Sequence, residues 1–267
     1  MKVGALRIVA LMAVLLAAAW MGSTVTTGST TEWPPLLTCP DTNGDGQVDL
    51  PNDILGVMNR YQTYYGGPPN PNSGMDYVLI YDVSGGNYID LVNDILGVIR
   101  RYQEQCPLVD SQVAQVTQAV MQYRDPNEAI GDGYVPVTQN VQGHGVHWLN
   151  GSLMDGVLEL TRPEGLNYSL DGELLNVYYI DPLWLPGHEQ PVEWLFDGDE
   201  DMWHDHPGLC VWTGPNGEPL VNENVAQADC PARPNGIWFQ SFGWMMHLWN
   251  FLPNAMGRFE MHNDKAG

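Results

Sequence analysis

Seven histidines occur in this chain of 267 residues, all of them beyond position 143. Gly143-His-Gly-Val-His-Trp148 carries a pair three apart, Trp203-His-Asp-His-Pro207 a pair two apart, and Trp244-Met-Met-His-Leu-Trp249 a single one. In an extended segment residues two apart face the same side, so His204 and His206 can reach one ion; Pro207 favours the extended conformation at His206. Neutral imidazoles from three or four such positions make a zinc- or copper-type site. His147, His204, His206 and His247 are therefore the candidate ligands, with Met202, Met245 and Met246 as soft donors that lean toward copper. His144, three residues before His147 on an expected strand, would face away from it. His188 and His262 read as ordinary core residues. Packing is the competing reading for all of them, because histidines beside tryptophan are commonly hydrogen-bonded core residues and methionines fill cores.

Calcium is the second chemistry on offer. Asp41-Thr-Asn-Gly-Asp-Gly-Gln-Val-Asp49 runs into Asn52-Asp-Ile-Leu-Gly-Val57, and Asp82-Val-Ser-Gly-Gly-Asn-Tyr-Ile-Asp90 runs into Asn93-Asp-Ile-Leu-Gly-Val98. Aligning 41–62 with 82–103 gives 13 identities in 22 positions. An EF-hand-type loop takes side-chain oxygens from positions 1, 3 and 5, turns sharply at 6, offers a carbonyl at 7, and completes its shell from 9 and 12. The first repeat supplies Asp41, Asn43, Asp45, Gly46 at the turn, the Gln47 carbonyl, Asp49 and Asn52. The second keeps Asp82, Ser84, Asp90 and Asn93, but has Gly86 and Asn87 at positions 5 and 6. Asparagine at position 12 lacks the second oxygen of a bidentate acid; a one-residue bulge would bring in Asp53 or Asp94 instead. The competing reading is an Asp/Asn turn that only caps a helix.

These loops require helices behind them. Ile54, Leu55, Met58 and Tyr61 recur at helical spacing, as do Ile95, Leu96, Ile99 and Tyr102. Faces this short cannot be buried singly, so the two units are expected to pack on each other. On these residues the segment 39–106 resembles the dockerin family, which carries paired calcium loop-helix units and binds cohesin domains. The resemblance implies bound calcium and a protein partner. The chain departs from the family in a longer linker, Tyr64–Gly74, and in placing the module ahead of the larger part. Positions 10 and 11 are apolar, Leu50-Pro51 and Leu91-Val92, and suit docking on a partner or on the chain's own C-terminal part.

Ten basic residues against 32 acidic ones give a formal net charge of −22. With no basic stripe, nucleic acid is not an expected partner, and an anionic membrane surface would repel the chain. Lys2 and Arg7 flank the apolar run Ile8–Gly22, which reads as an export signal and is short for a span of roughly 20 residues. Left uncleaved it would be a membrane anchor. The expected location is secreted, cell-surface or periplasmic. There the four cysteines read as two disulfides, with Cys39–Cys106 clamping the ends of the duplicated module and Cys210–Cys230 closing a local loop.

In the C-terminal part Asp110 is placed to cap a helix with a Val113, Val116, Val120 and Tyr123 stripe, stopping before Asp125-Pro126. Segments 133–137, 144–149, 174–180 and 243–249 read as strands. The expected architecture is α+β: a signal and polar lead-in over 1–30, the helical dockerin-like calcium pair over 39–106, and a β-rich domain with one leading helix over 107–267. Catalytic signatures are missing: no Gly-x-Ser-x-Gly elbow, no second histidine after His188-Glu189, no phosphate-cradling glycine loop. The run Asp197, Asp199, Glu200, Asp201 fits a carboxylate pair, a loose calcium site or a solvated loop. Eight of the ten tryptophans lie here, to stack on sugars or to fill the core. The stretch 120–259 also resembles a family of exported proteins, through Tyr123-Arg-Asp-Pro126, Gly133-Tyr134, Val146-His147-Trp148, Arg162-Pro163-Glu164, Trp203-His204, Met246-His247-Leu-Trp249, Pro253-Asn254 and Gly257-Arg-Phe259. That resemblance implies no activity; where it leads one to expect an acid in the 177–179 strand, this chain has Tyr178. The function expected is that of an exported calcium-binding protein whose C-terminal domain binds a transition metal, in a binding or assembly role. A metal-dependent oxidoreductase or hydrolase, and a non-catalytic carbohydrate-binding or surface-interaction protein, are the rivals.

Overall fold

The computed structural model describes residues 36–61, 79–84, 89–155, 157–181, 195–197, 202–217 and 219–266. The export signal, the inter-repeat linker, Gly86, Asn87, His188 and the acidic residues 199–201 lie outside them.

Each acidic-loop unit enters its helix through one widened turn. Leu50–Ile54 is a π-turn leading into α1, Leu55–Asn59, and Leu91–Ile95 is another leading into α2, Leu96–Arg100. Asp49 and Asp90 cap these turns, accepting from the amides of Asn52 at 2.8 Å and Asn93 at 2.6 Å. Val57 and Val98, outside the expected stripe, are buried with Ile54 and Ile95, while Tyr61 and Tyr102 at the end of that stripe are exposed. The Cys39–Cys106 disulfide joins the ends of the pair.

Helix α3, Leu108–Val120, follows and tightens into a 3₁₀ turn, Met121–Arg124; α4, Pro126–Gly131, starts after the Asp125 cap. The expected stripe is buried at Val113, Val116 and Val120. Asp110 does not cap this helix. It lies fully buried in the first turn, where Oδ2 accepts from Thr38 Oγ1 at 2.5 Å and the Cys39 amide at 2.7 Å, and Oδ1 pairs with Arg258 at 2.6 Å.

Seven antiparallel strands then wrap into a nearly closed barrel: β1 Val135–Val141, β2 Gly145–Leu149, β3 Gly165–Tyr168, β4 Leu174–Ile180, β5 His204–Thr213, β6 Pro219–Asn222 and β7 Ile237–Leu248, in the order β1-β2-β3-β4-β7-β5-β6. The chain is thus α+β, with β3, β5 and β6 beyond the strands read from sequence. A side-chain amide bridges the two edge strands: Gln139 donates to the Val221 carbonyl at 2.6 Å and accepts from the Val221 amide at 2.8 Å. Capping both edges in this way leaves less unpaired backbone for association with other chains.

Alternation along the strands sorts the side chains. Leu166, Tyr168, Val177, Tyr179, Met246 and Leu248 join one core cluster with Val113, Val116, Val120, Val57 and Val98. The barrel's outer wall and the acidic-loop module therefore share a single apolar core. The opposite face of the strands carries His147, Asn167, Asn176, Tyr178 and His247, which neighbour one another in register. Gly165 leaves space for the Tyr178 ring, since a Cβ there would lie 1.8 Å from it. Cys210–Cys230 ties β5 to the turn before β7. Two disulfides indicate an oxidising compartment. Among the described residues no helix is long and apolar enough to cross a membrane.

Candidate metal centre

The inward face of the barrel gathers five of the seven histidines, with His262 beside them. Ring centroids lie 4.9 Å apart for His204 and His206, 5.2 Å for His204 and His247, 5.1 Å for His144 and His247, and 5.5 Å for His144 and His147. His147 and His247 are 5.9 Å apart, and His262 meets His144 at 4.5 Å. His247 is the hub and is fully buried. Imidazoles that share one tetrahedral ion at about 2.0–2.1 Å per Zn–N bond have ring centroids roughly 5 Å apart, and packed rings without an ion span about 4.5–7 Å, so the spacing admits co-ligands without showing them.

Strand geometry explains the gathering. His204 and His206 share a side as alternation requires, and Pro207 sits beside the irregularity between Asp205 and Pro207 in the β5–β7 pairing. His144 does not face away from His147. Gly143 and Gly145 both hold positive φ, +84° and +87°, and this turn folds His144 back over the lumen. A side chain at Gly145 would also strike the Tyr168 carbonyl, 2.5 Å from an added Cβ. His262 is an exposed residue that closes the end of the cluster, rather than a core residue.

Two rings are anchored through Nδ1 to an oxygen acceptor. His206 Nδ1 donates to Glu223 at 2.5 Å and His204 Nδ1 to the Met202 carbonyl at 3.3 Å, because carboxylate and carbonyl oxygens only accept. His247 Nδ1 lies between Asn176 Oδ1 at 3.1 Å and Asn167 Nδ2 at 3.4 Å. His147 Nδ1 lies 3.3 Å from Thr138 Oγ1. The Nε2 atoms of His204, His206 and His247 are buried and have no hydrogen-bond partner among the described residues; neither has a well-formed one at His144. Leaving such an atom unpaired costs about 1–3 kcal/mol. Metal-ligating histidines show this pattern, with the outer nitrogen fixed by a second-shell oxygen and the inner one free.

Electrostatics keep four of the rings neutral. Burial, helped by neighbouring imidazoles, lowers His144 to about 4 and His204 to about 3, and holds His147 and His247 well below the usual histidine range. Glu223 is lowered by its bond to His206. Neutral imidazole is the form that binds metal. Among the described residues no three His, Cys, Asp or Glu side chains already converge as ligands of one ion would. The rings of His204 and His247 lie within 9° of parallel, so chelation requires ring rotation.

The methionines divide. Met245 lines the lumen, whereas Met246 belongs to the outer core and Met202 is exposed, which removes two of the three soft donors that leaned toward copper. Tyr178 packs against His147 and His247 at 5.3 and 5.8 Å, but its hydroxyl donates to the Trp148 carbonyl at 2.9 Å. Beside the histidines lies a cavity of about 290 Å³ whose remaining walls include Val211, Ile237, Phe239 and Met245. No described tryptophan is exposed; those beyond 143 mostly pack.

The acidic loops form the second candidate site. Asp41 is fully buried; Oδ1 accepts from Gly44 N at 2.8 Å, and Oδ2 from Gly46 N at 2.7 Å and Ser111 Oγ at 2.5 Å. Asp45 holds Asn43 Nδ2 at 2.7 Å and the Gln47 amide at 3.0 Å. The widened turn inserts one residue, so Asp53 and Asp94 occupy the place read for Asn52 and Asn93. Asp53 accepts from Thr42 N and Asp49 N, both at 2.6 Å, and Asp94 from Ser84 N at 2.9 Å and Asp90 N at 2.7 Å. Asn52 and Asn93 instead pair outward with the capping Asp49 and Asp90 at 3.0 and 2.7 Å. Burial and Asp41 raise Asp53, and burial and Asp82 raise Asp94 to about 7. Leu50, Leu91 and Val92 stay exposed and do not dock on the barrel; the first loop rests on α3, through Gln115 to the Gly44 carbonyl at 2.6 Å and Gln118 to the Thr42 carbonyl at 3.1 Å.

Glu223 and Asn176 escaped the sequence reading and His144 and His262 were misplaced by it, whereas Asp53 and Asp94 are the residues that a one-residue bulge was expected to bring in. Glycines on both sides of His144 were a turn signal; Glu223 and Asn176 carry no spacing that marks them. No family model, curated protein or solved structure matches the chain.

Proposed function

We propose that the barrel is a transition-metal-binding module, taking zinc or copper through His147, His204, His206 and His247 with His144 alongside. The observation that carries this reading is the set of buried Nε2 atoms on His204, His206 and His247, the first two on rings whose Nδ1 is fixed by an oxygen. Calcium at the two acidic loops belongs to the same reading. It is supported by the buried Asp41–Asp53 pair, for which no Lys or Arg forms an ion pair among the described residues. The chain would work outside the cytoplasm, in keeping with its disulfides and Ile8–Gly22. The exposed Leu50, Leu91 and Val92 offer a surface for a protein partner of the kind the dockerin resemblance implies.

The cavity beside the imidazoles favours a second reading, an extracellular metalloenzyme that keeps one coordination position open. Elemental analysis of the secreted chain tests the first reading. About one zinc or copper per chain is expected, and it should be lost in a His204→Ala/His206→Ala variant. Metal-free wild-type protein that takes up neither ion on incubation would overturn it.

A further inference from the structure

We propose that the lumen cavity binds a small apolar monocarboxylate, its head on the metal and its body against the aliphatic wall. This rests on the metal-binding reading above and extends it to the class of ligand.

His144, His147, His206 and Glu223 line the cavity together with Val211, Ile237 and Phe239. The β5–β7 pairing sets His204 opposite Met245 and places Leu209–Phe239 and Val211–Ile237 further along the strands, so apolar wall extends away from the histidines. Its volume, about 290 Å³, sits at the lower edge of the roughly 300–1,000 Å³ usual for small-ligand sites. Ile237 is 60 % exposed at the rim, so the cavity has a way in.

Charge decides the head group. A divalent ion held by neutral imidazoles carries its full charge into a low-dielectric barrel, where an uncompensated charge is costly. Among the described residues Glu223 is the one carboxylate that lines the cavity, and it is already bonded to His206. One unit of positive charge therefore stays unbalanced, and among the described residues no Lys or Arg lines the cavity to compete for an incoming anion. An anion at the open coordination position cancels that charge. The apolar wall beyond it then selects for hydrocarbon, each methylene adding about 0.8 kcal/mol of transfer free energy when buried. A polar or sugar-like body would leave its hydroxyls without partners against Val211, Phe239 and Met245.

The test uses the full chain loaded with cobalt(II), a visible reporter for a zinc-type site, titrated with hexanoate, acetate and hexanol. Hexanoate should shift the cobalt bands and bind at least about tenfold tighter than acetate, and hexanol should leave the bands unchanged. Ile237→Trp at the exposed rim, and separately Val221→Trp, should remove the advantage of hexanoate over acetate while cobalt affinity stays the same. If no cobalt is taken up, the metal reading falls and this inference with it. If cobalt binds but hexanoate and acetate act alike, or hexanol shifts the bands as hexanoate does, the inference is overturned and the metal reading stands.

Discussion

Glu223 and His206 show how single residues set this site. Their 2.5 Å bond fixes one tautomer and leaves Nε2 free to bind. Replacing such an outer-shell partner usually costs 10–100-fold in metal affinity. Glu223→Gln should therefore weaken zinc binding by roughly tenfold or more in a chelator competition, with little loss of thermal stability because the side chain is partly exposed. An unchanged affinity would mean that His206 is not a ligand. Protons should compete with metal for the same nitrogens. His144, at about 4, and His204, at about 3, are depressed in the fold. Between those values and about 6.5 the unfolded chain therefore binds more protons, and stability falls as pH falls. Metal-free protein should lose melting temperature steeply from pH 6.5 to pH 4, and zinc should protect it in the upper part of that window; a flat profile would contradict the buried neutral cluster. His204, His206 and His247 were legible because a period of two decides which side a strand residue faces. His144 was not, because two positive-φ glycines reset that alternation. Glu223 was invisible, since its partner is 17 residues away across a strand pairing no local pattern encodes.

At the scale of elements, the widened turns ahead of α1 and α2 decide which residues face the loops. They turn Asp53 and Asp94 inward and leave Asn52 and Asn93 on the caps. Asp53→Asn should abolish most of the calcium-dependent rise in melting temperature, whereas Asn52→Ala should keep it; the reverse order would restore the position-12 assignment to asparagine. The second loop adds a pH signature. Asp94 is raised to about 7 by burial and Asp82, so its contribution to stability is present below its unfolded value of 3.8 and is lost as pH rises through about 7. Bound calcium offsets that loss, so EDTA should lower the melting temperature more at pH 8 than at pH 5. Equal shifts would argue against an ion at that carboxylate pair. The duplication exposed these units in the sequence because loop and helix repeat together. The inserted residue was legible only as an alternative to position 12, because it depends on Asp53 reaching the amides of Thr42 and Asp49.

Across the whole molecule, the α+β division was readable from periodicity, and the favoured cysteine pairing from where each cysteine flanks its segment. Closure into a barrel was not. It depends on Gln139 meeting Val221 and on β3, β5 and β6, which were not read as strands from the sequence. Arg258 joins the far C-terminal region to the first turn of α3 through Asp110, at 2.6 Å within a buried pair. Cutting one member of such a pair costs about 3–5 kcal/mol, so Asp110→Ala should lower stability by that order in denaturant unfolding. The Cys39–Cys106 bridge closes a 67-residue separation and should contribute about 4 kcal/mol by limiting the unfolded chain. Together these ties hold the acidic loops and α3 against the outer wall of the barrel, whose other face holds the histidines. X-ray absorption at the metal edge of the zinc-loaded chain tests the central claim most directly. The account predicts a nitrogen/oxygen shell at about 2.0–2.1 Å with imidazole scattering from at least three rings. Zinc without imidazole scattering, or no zinc retained after dialysis, would contradict it.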